Sequence, residues 1–214
     1  MTHRERVLTA LEHKETDRIP IAMLCGAINQ PAYDEFNDYC INNFGESAGE
    51  YIDKTVDIDH VSPEYIGPKI ESGFDIWGVG RRFISYGKGA YDEIYHYPLA
   101  DVKDISELDK HDWPSVEYYD YNSIKDIIKA NRRKSDKCII TSGGNIFETA
   151  WYMRGFERMF EDIITNPELA MAIMERVTDF YISYAENILR SADGMIDLYF
   201  TADDIGGQQG LLMS

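Results

Sequence analysis

Residues 138–145 read CIITSGGN, and residues 166–201 read NPELAMAIMERVTDFYISYAENILRSADGMIDLYFT. The first stretch is a short apolar run closed by a glycine loop. In the second, Leu169, Ile173, Val177, Phe180 or Tyr181, Tyr184 and Ile188 fall at steps of three or four, which predicts a helix burying one stripe. Asn166-Pro167-Glu168 is a helix start, with a cap residue, a proline in the first turn and an acid at the positive end. Asp193-Gly194 provides a left-handed stop. Met195 to Thr201 then reads as a strand that runs into Ala202-Asp203-Asp204. Strand, glycine loop, helix and strand in that order form the unit of a parallel α/β fold.

The same alternation extends toward the N-terminus. A helix is expected from about Phe147. Asn122 to Arg133 is amphipathic, with Ile124, Ile127 and Ile128 on one side. Val56 to Val61 alternates as a strand does, and Ile19 to Cys25 is a candidate buried strand followed by Gly26. Thr2-His3-Arg4-Glu5 has capping-box spacing ahead of Val7, Leu8 and Leu11, and Asp17-Arg18-Ile19-Pro20 turns the chain into extended backbone. Another helix is expected over Tyr33 to Phe44. Between the second and third strands, residues 73–97 suggest a hairpin: Phe74 to Ser85 out, Gly87-Lys88-Gly89 turning, Tyr91 to Tyr97 back. Four core strands are therefore expected, near residues 20–25, 57–61, 138–141 and 195–201, in one domain spanning residues 1–214.

Composition narrows the function. Twenty-one basic against 38 acidic residues give a formal charge of −17, and hydrophobic residues make up 44% of the 214. A charge of that sign disfavours nucleic acid and anionic membranes as partners. The apolar run Ile19 to Ile28 is too short to span a bilayer and contains Pro20, and no secretory leader is read at the N-terminus. Three widely spaced cysteines, Cys25, Cys40 and Cys138, fit reduced thiols and a cytoplasmic location.

Several motifs together resemble uroporphyrinogen decarboxylase-like proteins. They are Arg4-Glu5-Arg6-Val7-Leu8 with Asp17-Arg18-Ile19-Pro20, Gly73-Phe74-Asp75-Ile76-Trp77-Gly78, Pro98-Leu99-Ala100-Asp101 with Trp113-Pro114, Gly144-Asn145-Ile146-Phe147 leading to Trp151-Tyr152-Met153-Arg154-Gly155, and Asp203-Asp204-Ile205-Gly206-Gly207-Gln208. The resemblance implies an α/β fold of the (β/α)8 TIM-barrel superfamily. Such barrels typically need about 250 residues, so about half of the barrel is expected here: four parallel strands with helices plus the hairpin excursion. A half-barrel exposes strand edges. The expectation is thus a truncated fragment, or a chain that pairs as a homo-oligomer or with a complementing half-barrel.

Chemistry in a parallel barrel sits at the carboxyl ends of the strands. Asp203 and Asp204 are a carboxylate pair able to anchor a polar substrate, bind a cation through water or transfer a proton; the competing reading is a capped turn with one solvated acid. The resemblance implies an aspartate near the second strand, for which Asp59 is the candidate and Asp57 the competitor. It also implies a tyrosine over the substrate, matched by Tyr152. Asn145, Gln208, Cys25 and Arg81 lie where substrate contacts are expected, although Cys25 by itself reads more as a small buried hydrophobe than as a ligand.

Two departures redirect the function. Decarboxylases of the family carry arginines after the first strand to bind an eight-carboxylate tetrapyrrole, whereas this sequence has no Arg or Lys between Arg18 and Lys54. The same superfamily includes cobamide-dependent methyltransferases and demethylases, whose zinc is held by His-x-Cys and a distant Cys. No histidine here is followed by cysteine at that spacing, so no metal site is assigned to this chain; zinc and a corrinoid protein are what the resemblance implies for a complete enzyme. The expected parent activity is corrinoid-linked methyl transfer or O-demethylation on a small molecule. The alternatives are uroporphyrinogen decarboxylation in porphyrin biosynthesis, and an inactive remnant or scaffold subunit that binds a corrinoid protein.

Overall fold

The computed structural model describes residues 1–24, 28–87 and 89–213. Cys25 and Lys88, both named from the sequence, lie outside the described residues. In chain order the elements are α1 (His3–Leu11), α2 (Gln30–Phe44), α3 (Ala48–Thr55), β1 (Ile58–His60), β2 (Glu64–Tyr65), β3 (Gly80–Ser85), β4 (Ala90–His96), β5 (Tyr119–Asp120), α4 (Ile124–Lys134), β6 (Cys138–Ser142), α5 (Ile146–Arg154), α6 (Phe156–Thr165), α7 (Pro167–Ala192), β7 (Leu198–Phe200), β8 (Gly206–Gly207) and β9 (Gly210–Leu211). No helix among the described residues is long and apolar enough to cross a membrane.

The frame is a three-stranded parallel sheet in the order β1-β6-β7, a partial (β/α) barrel. Ile58 pairs with Cys138 and His60 with Ile140 on one side of β6, while Ile140 pairs with Leu198 and Ser142 with Phe200 on the other. As the middle strand, β6 is buried from Cys138 to Thr141, which explains its unbroken apolar run. Alternation then sorts its side chains. Cys138 and Ile140 pack with Ile58 and Val7 of α1, while Ile139 packs with Ile124 and Ile128 of α4 and Ala192 of α7. The largest core lies outside the sheet, where Trp77, Val79, Leu99 and Leu108 of the excursion meet Phe147, Met153, Met159 and the buried stripe of α7.

Local chemistry sets the helix ends. Thr2 and Glu5 form the expected capping box on α1, and Ser47 and Glu50 form another on α3, a helix absent from the sequence expectation. Asn29 caps α2. At α7 the outcome differs: Pro167 opens the helix, but the Asn166 side chain makes no cap hydrogen bond, and the left-handed stop includes Asp193 itself at φ 51° as well as Gly194. The hairpin forms as β3 and β4, shorter on its outgoing side than expected, with Phe74 joined to Gly80 by an isolated bridge.

The expected strand at residues 20–25 is corrected. Residues 19–24 form no strand, and Ile19, at 83% exposed, heads an exposed row with Ile21, Met23 and Leu24. The physical reason is twofold: Pro20 withholds a ladder donor, and a barrel's first strand needs neighbours on both sides and an opposing inner layer to bury its apolar residues. What survives is one backbone bond, the Asp57 amide donating to Ile21 O at 2.8 Å.

Candidate active site

Two glycines allow the tips of β6 and β7 to meet. A methyl group on Gly143 would lie 2.9 Å from Tyr199 Oη, and one on Gly144 would lie 2.8 Å from Thr201 Oγ1. Gly144 also stands at φ 106°, a region that disfavours side chains. Thr201 Oγ1 donates to Gly144 O at 3.3 Å. The loop after β7 is thereby held against the start of α5.

That proximity decides what Asp203 does. The first amides of a helix have no partner within it. Asp203 accepts from Phe147 N at 2.6 Å and Glu148 N at 2.7 Å, so its carboxylate caps α5 from a different loop. The residue that sequence position assigns to the cap, Asn145, turns away and donates from Nδ2 to Glu148 Oε2 at 2.7 Å. One turn along α5, the Tyr152 hydroxyl donates to Glu148 Oε1. Above the Tyr152 ring, 4.4 Å from its centroid, lies the guanidinium carbon of Arg81 from β3. Burial, and then the hydrogen bond and charge of Glu148, push the Tyr152 phenol up to about 12, against the pull of Arg81. Tyr152 is therefore a neutral phenol whose proton is already engaged.

The structure thus brings Arg81, Asn145, Tyr152 and Asp203 into one cluster at the carboxyl end of the sheet. Glu148, which sequence reasoning missed, joins Asn145 to Tyr152 and has its own amide held by Asp203. Its signal was present: an acid four residues before a tyrosine on a helix that follows a glycine loop. His60, the last residue of β1, places Nε2 2.7 Å from Ser142 Oγ, and burial lowers its pKa. Asp75, ahead of the hairpin, accepts from Trp77 N at 2.9 Å and Val79 N at 3.0 Å. Burial raises its pKa despite those bonds and the nearby charge of Arg81.

The remaining candidates lie apart. Asp204 and Gln208 are exposed, the latter in the turn between β8 and β9. Asp59 accepts from Ser135 Oγ at 3.0 Å and stands 3.6 Å from Lys137 Nζ. Its competitor Asp57 is fully buried at the opposite, amino end of β1. There it accepts from Arg6 Nη1 at 2.6 Å, His3 Nδ1 at 2.7 Å, Arg18 Nη1 at 2.7 Å and the Ile21 amide at 2.7 Å. Burial opposes its ionisation, but the Ile21 amide and the Arg18, His3 and Arg6 side chains outweigh that and hold the carboxyl down at about 2. Among the described residues, no three His, Cys, Asp or Glu side chains gather as a metal-binding group.

Residues 80–202 match the model of the family described as uroporphyrinogen decarboxylase (URO-D). A methyltransferase from Methanosarcina mazei shares the fold, with a TM-score of 0.52 at 13% sequence identity over 99% of this chain. The chain spans 62% of the length of that methyltransferase. No curated protein matches the sequence.

Proposed function

The chain belongs to the uroporphyrinogen decarboxylase (URO-D) family, and from that premise we propose that it builds one wall of a small-molecule methyl-transfer site. The partner in this reading is a corrinoid protein, which would supply the methyl-accepting cobalt chemistry; no residue of this chain is assigned to the corrinoid. The observation that carries the reading is the charge of the rim. Among the described residues, the cluster sets one guanidinium, Arg81, against the carboxylates of Glu148 and Asp203. A tetrapyrrole with eight carboxylates needs several cationic partners to be desolvated, and such a rim repels it.

Each side chain then has a role. Arg81 anchors the donor molecule. Tyr152 acts through its ring, which supports the guanidinium, because its hydroxyl is spent on Glu148. Asp203 is a positioning residue: both of its oxygens are spent on α5 amides, which sets Glu148 and Tyr152 in place. Asp59, Asp204 and Gln208 are assigned no contact with the reacting groups. Buried, unbridged Cys40 and Cys138 support the cytoplasm as the compartment.

The test offers the purified chain free cob(I)alamin with methylated amines, thiols and aryl ethers in turn, and uroporphyrinogen in a parallel reaction. The expected result is loss of the cob(I)alamin absorbance with at least one methyl donor and no carbon dioxide from uroporphyrinogen. Turnover of uroporphyrinogen to carbon dioxide overturns the proposal.

A second reading concerns assembly. The exposed row Ile19, Ile21, Met23 and Leu24 beside β1, and exposed Leu211 and Met213 after β7, support addition of complementing strands, from a second copy or another chain.

A further inference from the structure

Next to the Tyr152 cluster, the hairpin and the segment before it enclose a cleft of about 430 Å³ whose lining includes Phe74, Asp75, Arg81, Phe83 and Asp92. Arg81 therefore has two sides: its guanidinium caps the Tyr152 ring, and it also forms part of the cleft wall. The hairpin register fixes the rest. Arg81 pairs with Ile94 and Phe83 with Asp92, so Arg81 and Phe83 share one face of β3, and Asp92 is the diagonal neighbour of Arg81 on the same face. Such diagonal positions lie roughly 7–8 Å apart.

Here no ion pair links Arg81 to Asp92 or to Asp75, although Arg82, one residue along, does meet Glu93 at 3.6 Å on the other face. The same cleft wall carries the rings of Phe74 and Phe83, the latter paired across the hairpin with Asp92 and 77% exposed. An exposed phenyl face beside a carboxylate is a setting that binds alkylated ammonium groups, which are drawn to the ring quadrupole and carry no N–H donors to satisfy. A guanidinium at the other end is suited to a carboxylate.

We infer that this cleft binds a small methylated ammonium carboxylate, with the carboxylate on Arg81 and the methylated nitrogen between Phe83 and Asp92. The inference names the substrate class of the proposed methyl-transfer site and rests on that reading for the fate of the methyl group, whereas the binding step is measurable by itself. It also explains why the rim keeps one arginine rather than several: a single carboxylate needs a single fork.

The experiment is calorimetric titration of the full chain with trimethylglycine, tetramethylammonium and acetate as separate probes. Trimethylglycine is expected to bind at least tenfold more tightly than either half-molecule. Arg81→Ala should bring trimethylglycine down to the level of tetramethylammonium, Arg81→Lys should recover part of the loss, and Asp92→Asn should weaken trimethylglycine while leaving acetate unchanged. All three substitutions fall on the hairpin, Asp92 exposed and Arg81 half-buried, and an unchanged circular dichroism spectrum establishes that each variant is folded. Equal affinity for the three probes, or an Arg81→Ala variant that binds trimethylglycine as the parent does, overturns the inference. Binding without methyl transfer to cobalamin would sink the methyl-transfer reading and leave this site standing; methyl transfer from donors that are not zwitterions would do the reverse.

Discussion

Tyr152 shows how one neighbour changes what a residue can do. Its position suits a group that hydrogen-bonds substrate, yet Glu148 takes the hydroxyl and Arg81 takes the ring. Replacing Tyr152 with Phe should therefore leave donor binding within about threefold of the parent, whereas Tyr152→Ala should weaken it at least tenfold, a difference calorimetry would resolve. The phenol's own titration is a separate check. Removing the Glu148 charge by Glu148→Gln should lower the Tyr152 pKa from about 12 toward the ordinary tyrosine value, read by NMR of ring-labelled tyrosine. Because the folded-state value is raised, the stabilisation it represents is complete below the unfolded pKa near 10 and fades as pH climbs through about 12. Asp203 belongs to the same scale. Cutting it to alanine should cost about 1–2 kcal/mol in chemical denaturation, as loss of a helix cap does, and asparagine should cost less because it can still accept from one of the two amides. These roles were only partly legible in the sequence. Asp203 was marked by its place after a strand, but its partners are amides 55 and 56 residues earlier, which no local pattern reveals. Glu148 was passed over because acids in the first turn of a helix are common and usually solvated.

At the scale of elements, the fold is legible in the sequence where a pattern is completed within a few residues. The capping box before α1, the stripe of α7 and the apolar run of β6 are all self-contained signals. Residues 19–24 are the exception: an apolar run with the composition of a strand that lacks the partners to make one. The amino end of β1 shows what holds that region instead. Asp57 draws together α1 through Arg6 and His3, the following turn through Arg18, and the extended segment through the Ile21 amide. Asp57→Asn leaves those cations facing a neutral group in a buried place and should cost roughly 3 kcal/mol, measured as a shift of the urea midpoint. The depressed carboxyl contributes fully above the unfolded value near 4, and its share is lost as pH falls toward about 2. The parent chain should therefore lose stability through that acid window more steeply than the asparagine variant.

At the scale of the molecule, three parallel strands leave β1 and β7 at the edges of their sheet, with exposed apolar side chains on the segment that joins the amino end of β1 and on the one that follows β7. Edges of this kind are ready to accept another strand. Light scattering across a concentration series should show association that charged substitutions at Ile19 and Leu24 abolish; a monomer at every concentration would argue against strand addition. A formal charge of −17 opposes contact between identical copies, so association should strengthen as salt screens that repulsion. Apolar burial alone would respond far less.

Trp151 lies with its ring centre 4.2 Å from that of Tyr152, and its buried indole nitrogen finds no acceptor among the described residues. The other two indoles, Trp77 and Trp113, pack edge to face against each other and would give a steady background glow. The protein thus carries its own unlabelled optical sensor. Whatever displaces or tightens the guanidinium above Tyr152 should alter the brightness of a fluorophore one residue away, so occupancy could be followed in real time in a cuvette without attaching a dye.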